Sequence, residues 1–106
     1  GEGPRERRAC GWRDRLISRE DSDVTAGVHA VDIDGAREQY HKVATELYYV
    51  LEGEGDVVLD GEPVSVSKGS LLHIPPGVVH GARGKMRVLV VGIPDMSDDD
   101  LFYPEG

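Results

Sequence analysis

Four polar residues in the middle of the chain have the types and the spacing of metal ligands. Gln39 and His41 are separated by one residue, so in a strand their side chains share a face, with Cα atoms roughly 6.5 Å apart. Two donor atoms that each lie about 2.1 Å from one ion can bridge that span. Glu46 begins the next apolar run, and His80 comes from a distant part of the chain. If strand ends converge, the four side chains can meet around one divalent cation.

The elements that must position these residues read as short strands. From Val24 onward, β-forming runs alternate with turn signals, and no segment keeps helical periodicity over three turns. The runs are residues 28–33, 47–51, 57–59, 64–66, 71–74 and 86–91. Asp34-Gly35 and Gly53-Glu54-Gly55 are predicted to close the first two runs, and Asp60-Gly61 is predicted to form a type I′ hairpin turn. The pattern predicts one all-β domain, a sandwich or a barrel.

Composition excludes several classes of partner. The chain has 106 residues, with 20 acidic and 12 basic ones and a formal net charge of −8. Such a surface repels phosphate backbones and anionic lipids, so neither nucleic acid nor membrane is an expected partner. The charged N-terminus resembles no signal peptide, and no run approaches the roughly 20 apolar residues of a membrane span, so we expect a cytoplasmic protein. Cys10 is the only cysteine, which excludes an internal disulfide.

Two segments flank the β region. Residues 1–23 are predicted to form an N-terminal arm that packs on the outside of the barrel or across a partner subunit, with Trp12 as its largest apolar group. Residues 24–106 are predicted to form the barrel domain and a short C-terminal tail. Residues 101–103 are expected to dock on the barrel wall or on a second subunit. The acidic run at 98–100 is expected to be solvated or to begin a helix. The chain does not begin with Met, so we expect that it has been trimmed.

The alternation of side chains along a strand predicts which face of the sheet several further side chains occupy. Tyr48 and Val50 are predicted to fill the interior, whereas Tyr49 is predicted to face outward or toward a dimer partner. His29 has the parity of its apolar neighbours, so it either lines a pocket or is a hydrogen-bonded core histidine. His73 could face either way.

Two stretches resemble the sequence motifs of the cupin family. Residues 39–53 resemble the first motif, His-x-His followed after three or four residues by Glu and after six more by Gly, with Glu46 and Gly53 in place. Residues 69–80 match all four anchors of the second motif, Gly-x5-Pro-x-Gly-x2-His, which ends at His80. The resemblance covers residues 24–93 and implies a double-stranded β-helix, or jelly-roll, barrel.

The resemblance also implies a ligand set. In the cupin family, two histidines and the Glu of the first motif and the His of the second bind a metal. Position by position, this implies His41, Glu46 and His80 as ligands and places Gln39 where the first histidine stands. A second alignment makes His41 the first histidine and places Val43 at the other position. The ion is expected to be divalent (Mn, Fe, Ni or Zn), and the amide oxygen of Gln39 favours Mn over the later ions.

Function is implied only in outline. The resemblance implies a metal-dependent enzyme for a small polar molecule, of the dioxygenase, isomerase or lyase type, with Glu46 as a ligand or a proton carrier. The alternatives are a non-catalytic barrel that binds a sugar or another effector, and a structural protein with a vestigial site. A homodimer is expected, since small cupins usually pair through their outer sheet faces and an unpaired edge strand needs covering.

Overall fold

The computed structural model describes residues 5–8, 11–17 and 23–104. Most of this part is β-strand: β1 (Arg5–Arg8), β2 (Gly11–Ile17), β3 (Gly27–Gln39), β4 (Thr45–Leu59), β5 (Glu62–Ser67), β6 (Leu71–Ile74) and β7 (His80–Ile93). A 3-10 helix at Asp98–Asp100 is the one helical element within the described ranges. The predicted all-β class is therefore confirmed. In the part of the chain that the structure describes, no helix has the length and apolar character that would let it cross a membrane.

The seven strands form one antiparallel sheet with β4 and β7 as its central pair. The order is β1-β2-β3-β7-β4-β5, and β6 also pairs with β4. β7 borders β4 along its whole length, while the opposite edge of β4 is shared by β6 near its start and β5 near its end. A flat strand of 15 residues would span roughly 50 Å. The largest dimension of the molecule is 36 Å, so β4 must bend as the sheet curls into a barrel.

Glycines make these bends possible, and they correct one prediction. The expectation that Asp34-Gly35 and Gly53-Glu54-Gly55 end strands is wrong, because β3 continues through the first and β4 through the second. Gly35 and Gly53 have φ angles of 77° and 84°, and the ladder register shifts close to each. A Cβ added to Gly53 would stand 2.5 Å from the backbone oxygen of Lys85 in β7. These glycines therefore bend continuous strands as β-bulges do.

The hairpin between β4 and β5 has the predicted turn. Leu59 and Glu62 face each other as the closing pair of the ladder. Asp60 and Gly61 between them have φ angles of 49° and 84°, and two successive positive φ angles define a type I′ turn. The Asp60-Gly61 prediction is confirmed.

The core lies between the inward faces of the curled sheet. Tyr48 and Val50 are buried and Tyr49 is 42% exposed, so the parity predicted for this strand is confirmed. The buried apolar cluster consists of Val31, Ile33, Tyr48, Val50, Val57, Val66, Ile74, Ala82, Met86, Val88 and Val90. Among the described residues, the buried polar ones are His29, His41, Glu46, His80 and Asp95.

The N-terminal segment extends the sheet. β2 pairs with β3, and β1 pairs with β2, so the described part of the predicted arm is a β-hairpin rather than an irregular tail. Arg87 in β7 holds β2 in place with 2.8 Å contacts to Asp14 and to Asp32 in β3. Trp12 remains 43% exposed. Cys10 lies outside the described residues, and the division of the chain near residue 23 stays a prediction.

The C-terminal segment, residues 94–104, folds back over the barrel. Tyr40 and Phe102 exchange two backbone hydrogen bonds of 2.9 and 3.0 Å, and their rings stack with centroids 5.5 Å apart. The guanidinium of Arg37 lies 3.8 Å from the ring centroid of Tyr103. Of the two predicted positions for residues 101–103, the barrel wall is the one observed. The predicted helical turn near residue 98 is also present.

Candidate functional site

Three of the predicted ligands meet because the longest ladder of the sheet wraps around the barrel. In the ladder between β4 and β7, Glu46 lies opposite Gly92, and His80 lies opposite Leu59. A flat ladder would separate these two pairs by roughly 40 Å. Glu46 and His80 are instead in contact, so the two ends of the ladder are brought together. The bend at Gly53, near the middle of β4, helps to bring the two ends of the ladder together.

The three side chains converge on one carboxylate oxygen. Glu46 Oε1 lies 2.8 Å from His80 Nε2 and 3.1 Å from His41 Nε2. His41 follows the end of β3, and the centroids of the two imidazole rings are 5.6 Å apart. All three residues are buried, with exposed fractions of 6% or less. Despite the short distances, none of the three converging atoms meets the geometry of a hydrogen bond.

The outer nitrogen of each imidazole faces a backbone carbonyl. His41 Nδ1 lies 2.6 Å from the oxygen of Asp100, and His80 Nδ1 lies 3.0 Å from the oxygen of Val78. A carbonyl can only accept, so Nδ1 of each ring carries the proton in the neutral state. The lone pair then belongs to Nε2, which points at the centre. Metal-binding histidines usually have their other nitrogen held by a carbonyl or a carboxylate in this way.

The charges within the cluster stabilise one another. Burial raises the pKa of Glu46, but the two imidazoles beside it outweigh burial and lower the pKa to about 2. Burial lowers the pKa of His41, and the neighbouring Glu46 together with the Asp100 carbonyl outweighs that effect and raises it. The cluster therefore holds an ionised carboxylate, and His41 competes with any cation by binding a proton.

The residues present fit a divalent metal ion. One donor atom from each of the three residues lies within 4.8 Å of the other two. Neighbouring donors around an ion with bonds of about 2.1 Å are about 3 Å apart, close to the two observed distances. The buried donor atoms lack hydrogen bonds, and two imidazole nitrogens with a carboxylate oxygen suit first-row divalent ions. The cluster of His41, Glu46 and His80 could thus hold a metal; the ion remains unidentified.

Gln39 stands beside this cluster. It is the last residue of β3, its backbone pairs with that of His80, and its side chain lines the same cavity. That Gln39 supplies a fourth donor stays a prediction.

Asp100 supports the cluster from outside, and sequence reasoning missed it. Its carboxylate accepts hydrogen bonds of 2.7 to 3.2 Å from the backbone amides of Lys42, Val43 and Ala44, the loop between His41 and β4. Partial burial raises the pKa of Asp100, but the three amide donors outweigh it and lower the pKa. The expectation of a merely solvated acidic run is wrong for this residue. Asp100 is 59 residues from His41, and nothing in the sequence signals the contact.

The cluster opens into a cavity of about 320 Å³. Its apolar wall comes from β3, β4, β7 and the C-terminal segment, and its polar groups come from β2, the strand ends and the C-terminal segment. The lining residues are Arg13, His29, Val31, Ile33, Gln39, His41, Glu46, Tyr48, Val90, Met96, Ser97, Asp98, Leu101 and Tyr103. A small molecule can therefore be enclosed between the barrel interior and the C-terminal segment.

Two further histidines occupy different environments. His29 is buried and lines the cavity, where its Nε2 lies 3.4 Å from Asp95 Oδ1. This is the inward orientation that its strand parity allowed. His73, in β6, is exposed on the outside of the barrel.

Sequence comparison finds relatives for most of the chain. A family model described as a cupin domain matches residues 28–92. The protein MJ1618 of Methanocaldococcus jannaschii is 34% identical over 64 residues, which are 57% of this chain and 51% of that protein. The quercetin 2,3-dioxygenase of Bacillus subtilis is 37% identical over 46 residues, which are 43% of this chain and 14% of the dioxygenase. The chain therefore spans about half the length of the first relative and a small part of the second.

Solved structures share the fold. A protein from Planctomyces limnophilus superposes with a TM-score of 0.88 at 25% identity, covering 94% of this chain and 89% of that one. Streptomyces Pac13, described as a nucleoside dehydratase, superposes with a TM-score of 0.82 at 22% identity, covering 96% and 88%. These likenesses confirm the predicted jelly-roll barrel.

Proposed function

The chain belongs to the cupin family, and from that premise we propose that it is a metal-dependent enzyme for a small polar metabolite. One observation carries the proposal: two buried imidazole nitrogens and a carboxylate oxygen converge without hydrogen bonds beside a cavity that His41 and Glu46 line. Buried polar atoms are rarely left unpaired, so such a group needs a partner. A divalent cation is the partner that all three donors can share.

The proposed ligands are His41, Glu46 and His80, with Gln39 as the fourth. When bound, the ion would act as a Lewis acid that polarises a carbonyl or hydroxyl oxygen of the substrate. The protein residues hold the donors in place, since Asp100 and Val78 fix the two imidazole rings through their outer nitrogens. Glu46 is ionised at neutral pH and can serve as a ligand or accept a proton from the substrate.

The cavity sets the size and character of the proposed substrate. A volume of about 320 Å³ lies at the lower end of ligand pockets, which suits a small metabolite better than a polymer. Arg13, Ser97 and Asp98 provide polar groups in the same cavity. The relatives include a dioxygenase and a protein described as a nucleoside dehydratase, which is a lyase. We propose these two reaction types for this chain, together with the isomerase type that the resemblance to cupins implies.

We also propose that the chain acts as a cytoplasmic homodimer that binds neither nucleic acid nor membrane. The outer face offers one place for dimer contact, because Tyr49 in β4 pairs with Leu71 in β6, and these side chains are 42% and 66% exposed. A Tyr49→Lys variant that shifts the mass in light scattering from dimer to monomer would support this interface.

Elemental analysis of the purified protein and of His80→Ala tests the proposed function. Wild type is expected to hold one equivalent of a divalent metal, and His80→Ala to bind it more than about 100-fold more weakly, because a ligand is lost outright. The exposed His73 of β6 supplies the control, and His73→Ala should bind metal like wild type. Substoichiometric metal in wild type, with equal affinity in His80→Ala, would contradict the proposal and favour a non-catalytic barrel that binds a small molecule.

A further inference from the structure

His29, which lines the same cavity, faces a buried carboxylate that lies apart from the proposed metal ligands. His29 Nε2 is 3.4 Å from Asp95 Oδ1, and the two residues are 3% and 7% exposed. They come from opposite ends of the barrel region, with His29 near the start of β3 and Asp95 just after β7. Two ionisable residues are rarely buried together without a reason, because burial disfavours each charge unless the other compensates it.

The fold makes room for this pair with two glycines. Gly27, Gly92 and Glu46 lie side by side in adjacent strands. A Cβ on Gly27 would lie 1.8 Å from Asp95 Oδ1, so only glycine leaves room for that carboxylate. A Cβ on Gly92 would lie 2.9 Å from Met96 Cγ. The C-terminal segment thus fills the space above the glycines and places Asp95 against His29.

The pair is within reach of a molecule bound at the cluster of His41, Glu46 and His80, here called the metal cluster. His29, Val90 and Tyr48 form another row of neighbours, two residues along the strands from the row that contains Glu46. Strand spacing places the backbone of His29 roughly 10 to 12 Å from that of Glu46. Both side chains face the cavity, so a molecule of a few carbon atoms can contact the cluster and His29 together.

The chemistry of this pair differs from that of the metal cluster. Among the described residues, the grouping that brings three potential ligands together is His41, Glu46 and His80, and it does not include His29 or Asp95. An imidazole with one ring nitrogen facing a carboxylate is suited to proton transfer, since the carboxylate orients the ring and stabilises the imidazolium.

We propose that His29, oriented by Asp95, is the proton-transfer residue of the cavity, and that the substrates are small molecules with a C–H bond next to a carbonyl group. The inference rests on the proposed function. The C–H bond breaks, its electron pair moves into the adjacent carbonyl to give an enolate, and the proton passes to the imidazole of His29. Where the carbon that lost the proton carries a hydroxyl group, the proton of that hydroxyl moves to the former carbonyl oxygen and His29 returns its proton to the former carbonyl carbon, which gives an isomer. Where the next carbon carries a hydroxyl group, the enolate re-forms the carbonyl, the C–O bond of that hydroxyl breaks, and His29 gives its proton to the departing oxygen, so that water is eliminated. The pair therefore favours an isomerase or a lyase over a dioxygenase.

Proton exchange on pyruvate in D2O tests this role. Pyruvate is a small probe whose two adjacent oxygens can chelate a metal and whose methyl protons are acidified by the ketone. The metal-loaded wild type should replace these protons with deuterium faster than the same ion free in solution, as followed by proton NMR after chelation of the ion. His29→Gln should slow the protein-dependent exchange by about 100-fold or more, and Asp95→Asn should also slow it. Metal content and pyruvate affinity should change less than about twofold.

His73→Gln, on the outer face of β6, is the matched control and should exchange like wild type. Exchange at the wild-type rate in His29→Gln would overturn the inference and leave the proposed metal site intact. Pyruvate binding without protein-dependent exchange would also overturn it, and metal binding without pyruvate binding would contradict the substrate class. Absence of metal binding would instead contradict the proposed function. If His29→Gln does not retain its metal, Asp95→Asn decides the matter, since a wild-type rate in that variant contradicts the role of the pair.

Discussion

Two buried histidine–carboxylate groups contribute residues to one cavity and are built in different ways. In the metal cluster, two imidazoles have their outer nitrogens held by backbone carbonyls and direct the other nitrogens at one oxygen of Glu46. In the second group, His29 faces the carboxylate of Asp95 directly. The first arrangement suits the binding of a cation, and the second suits the proposed transfer of a proton. Both groups consist of histidine and carboxylate residues, so residue type alone does not distinguish them. The partner of each ring nitrogen does.

The two groups also depend on different parts of the fold. The metal cluster forms where the wrapped ladder of β4 and β7 brings its ends together. The His29–Asp95 pair forms where the C-terminal segment packs over Gly27 and Gly92. Substitutions should therefore affect one group without the other.

Glu46→Gln is expected to give the largest difference between the two groups in their effect on metal affinity. The amide keeps the shape of the side chain but removes the only negative charge among the proposed ligands, so metal affinity should fall more than about 100-fold in calorimetric titration. Asp95→Asn removes a carboxylate from the other group and should leave metal affinity within about twofold. Equal losses in the two variants would show that the groups are not independent.

The free energy of unfolding should depend on pH through the charges of Glu46 and His41. In the metal-free protein the pKa of Glu46 falls from an ordinary 4.5 to about 2, so its contribution is complete above about pH 4.5 and is lost as the pH falls toward 2. The raised pKa of His41 adds stability that is complete below 6.5 and is lost as the pH rises through the folded-state pKa. Chemical denaturation of metal-free wild type should show both trends.

Glu46→Gln should remove most of this pH dependence. It removes the carboxyl group whose pKa is lowered, and it removes the negative charge that raises the pKa of His41. Metal affinity should rise with pH over the range in which His41 loses its proton. A metal-free Glu46→Gln variant with the same pH profile as wild type would contradict the coupling between Glu46 and the imidazoles.

Gly27→Ala should break the second group alone. The new Cβ would overlap Asp95 Oδ1 and displace that carboxylate, which should destabilise the protein by about 1 to 3 kcal/mol and slow the exchange of pyruvate protons. Gly92→Ala is the matched variant and should have a smaller effect, since it meets the flexible side chain of Met96. Both variants should keep wild-type metal affinity, and a loss of metal from Gly27→Ala would contradict the independence of the groups.

A subtler effect on the metal cluster is expected from Asp100→Asn. The amide accepts fewer of the three backbone hydrogen bonds, so the loop that carries His41 should loosen and metal affinity should fall by about 10- to 100-fold. Asp99→Asn is the control, because Asp99 is exposed in the same 3-10 helix. Equal affinities in the two variants, measured by competition with a chromophoric chelator, would show that Asp100 does not position His41.

Local patterns in the sequence were enough to predict the all-β class and the hairpin at Asp60-Gly61. The two motifs led to His41, Glu46 and His80, which the structure brings together at the ends of strands. The same reading failed at Gly53, because a glycine that bends a strand and a glycine that ends one look alike in a sequence. What distinguishes them is the close approach of β7, a contact between residues far apart in the chain.

The supporting residues could not be predicted for the same reason. Asp100 belongs to an acidic run whose pattern is that of a solvated surface, and its role depends on where the C-terminal segment docks. Asp95 follows the cis peptide bond between Ile93 and Pro94 and is 66 residues from His29. Only the packing of that segment over two glycines reveals the pair.

X-ray absorption spectroscopy of the metal-loaded protein tests the central claim most directly, because it counts the imidazoles bound to the ion. Two imidazole ligands with oxygen donors, at distances of about 2.0 to 2.2 Å, are predicted for wild type and, unchanged, for Asp95→Asn. A spectrum without imidazole scattering would contradict the proposed metal site. A third imidazole would contradict the division of the cavity into a metal cluster and a proton-transfer pair.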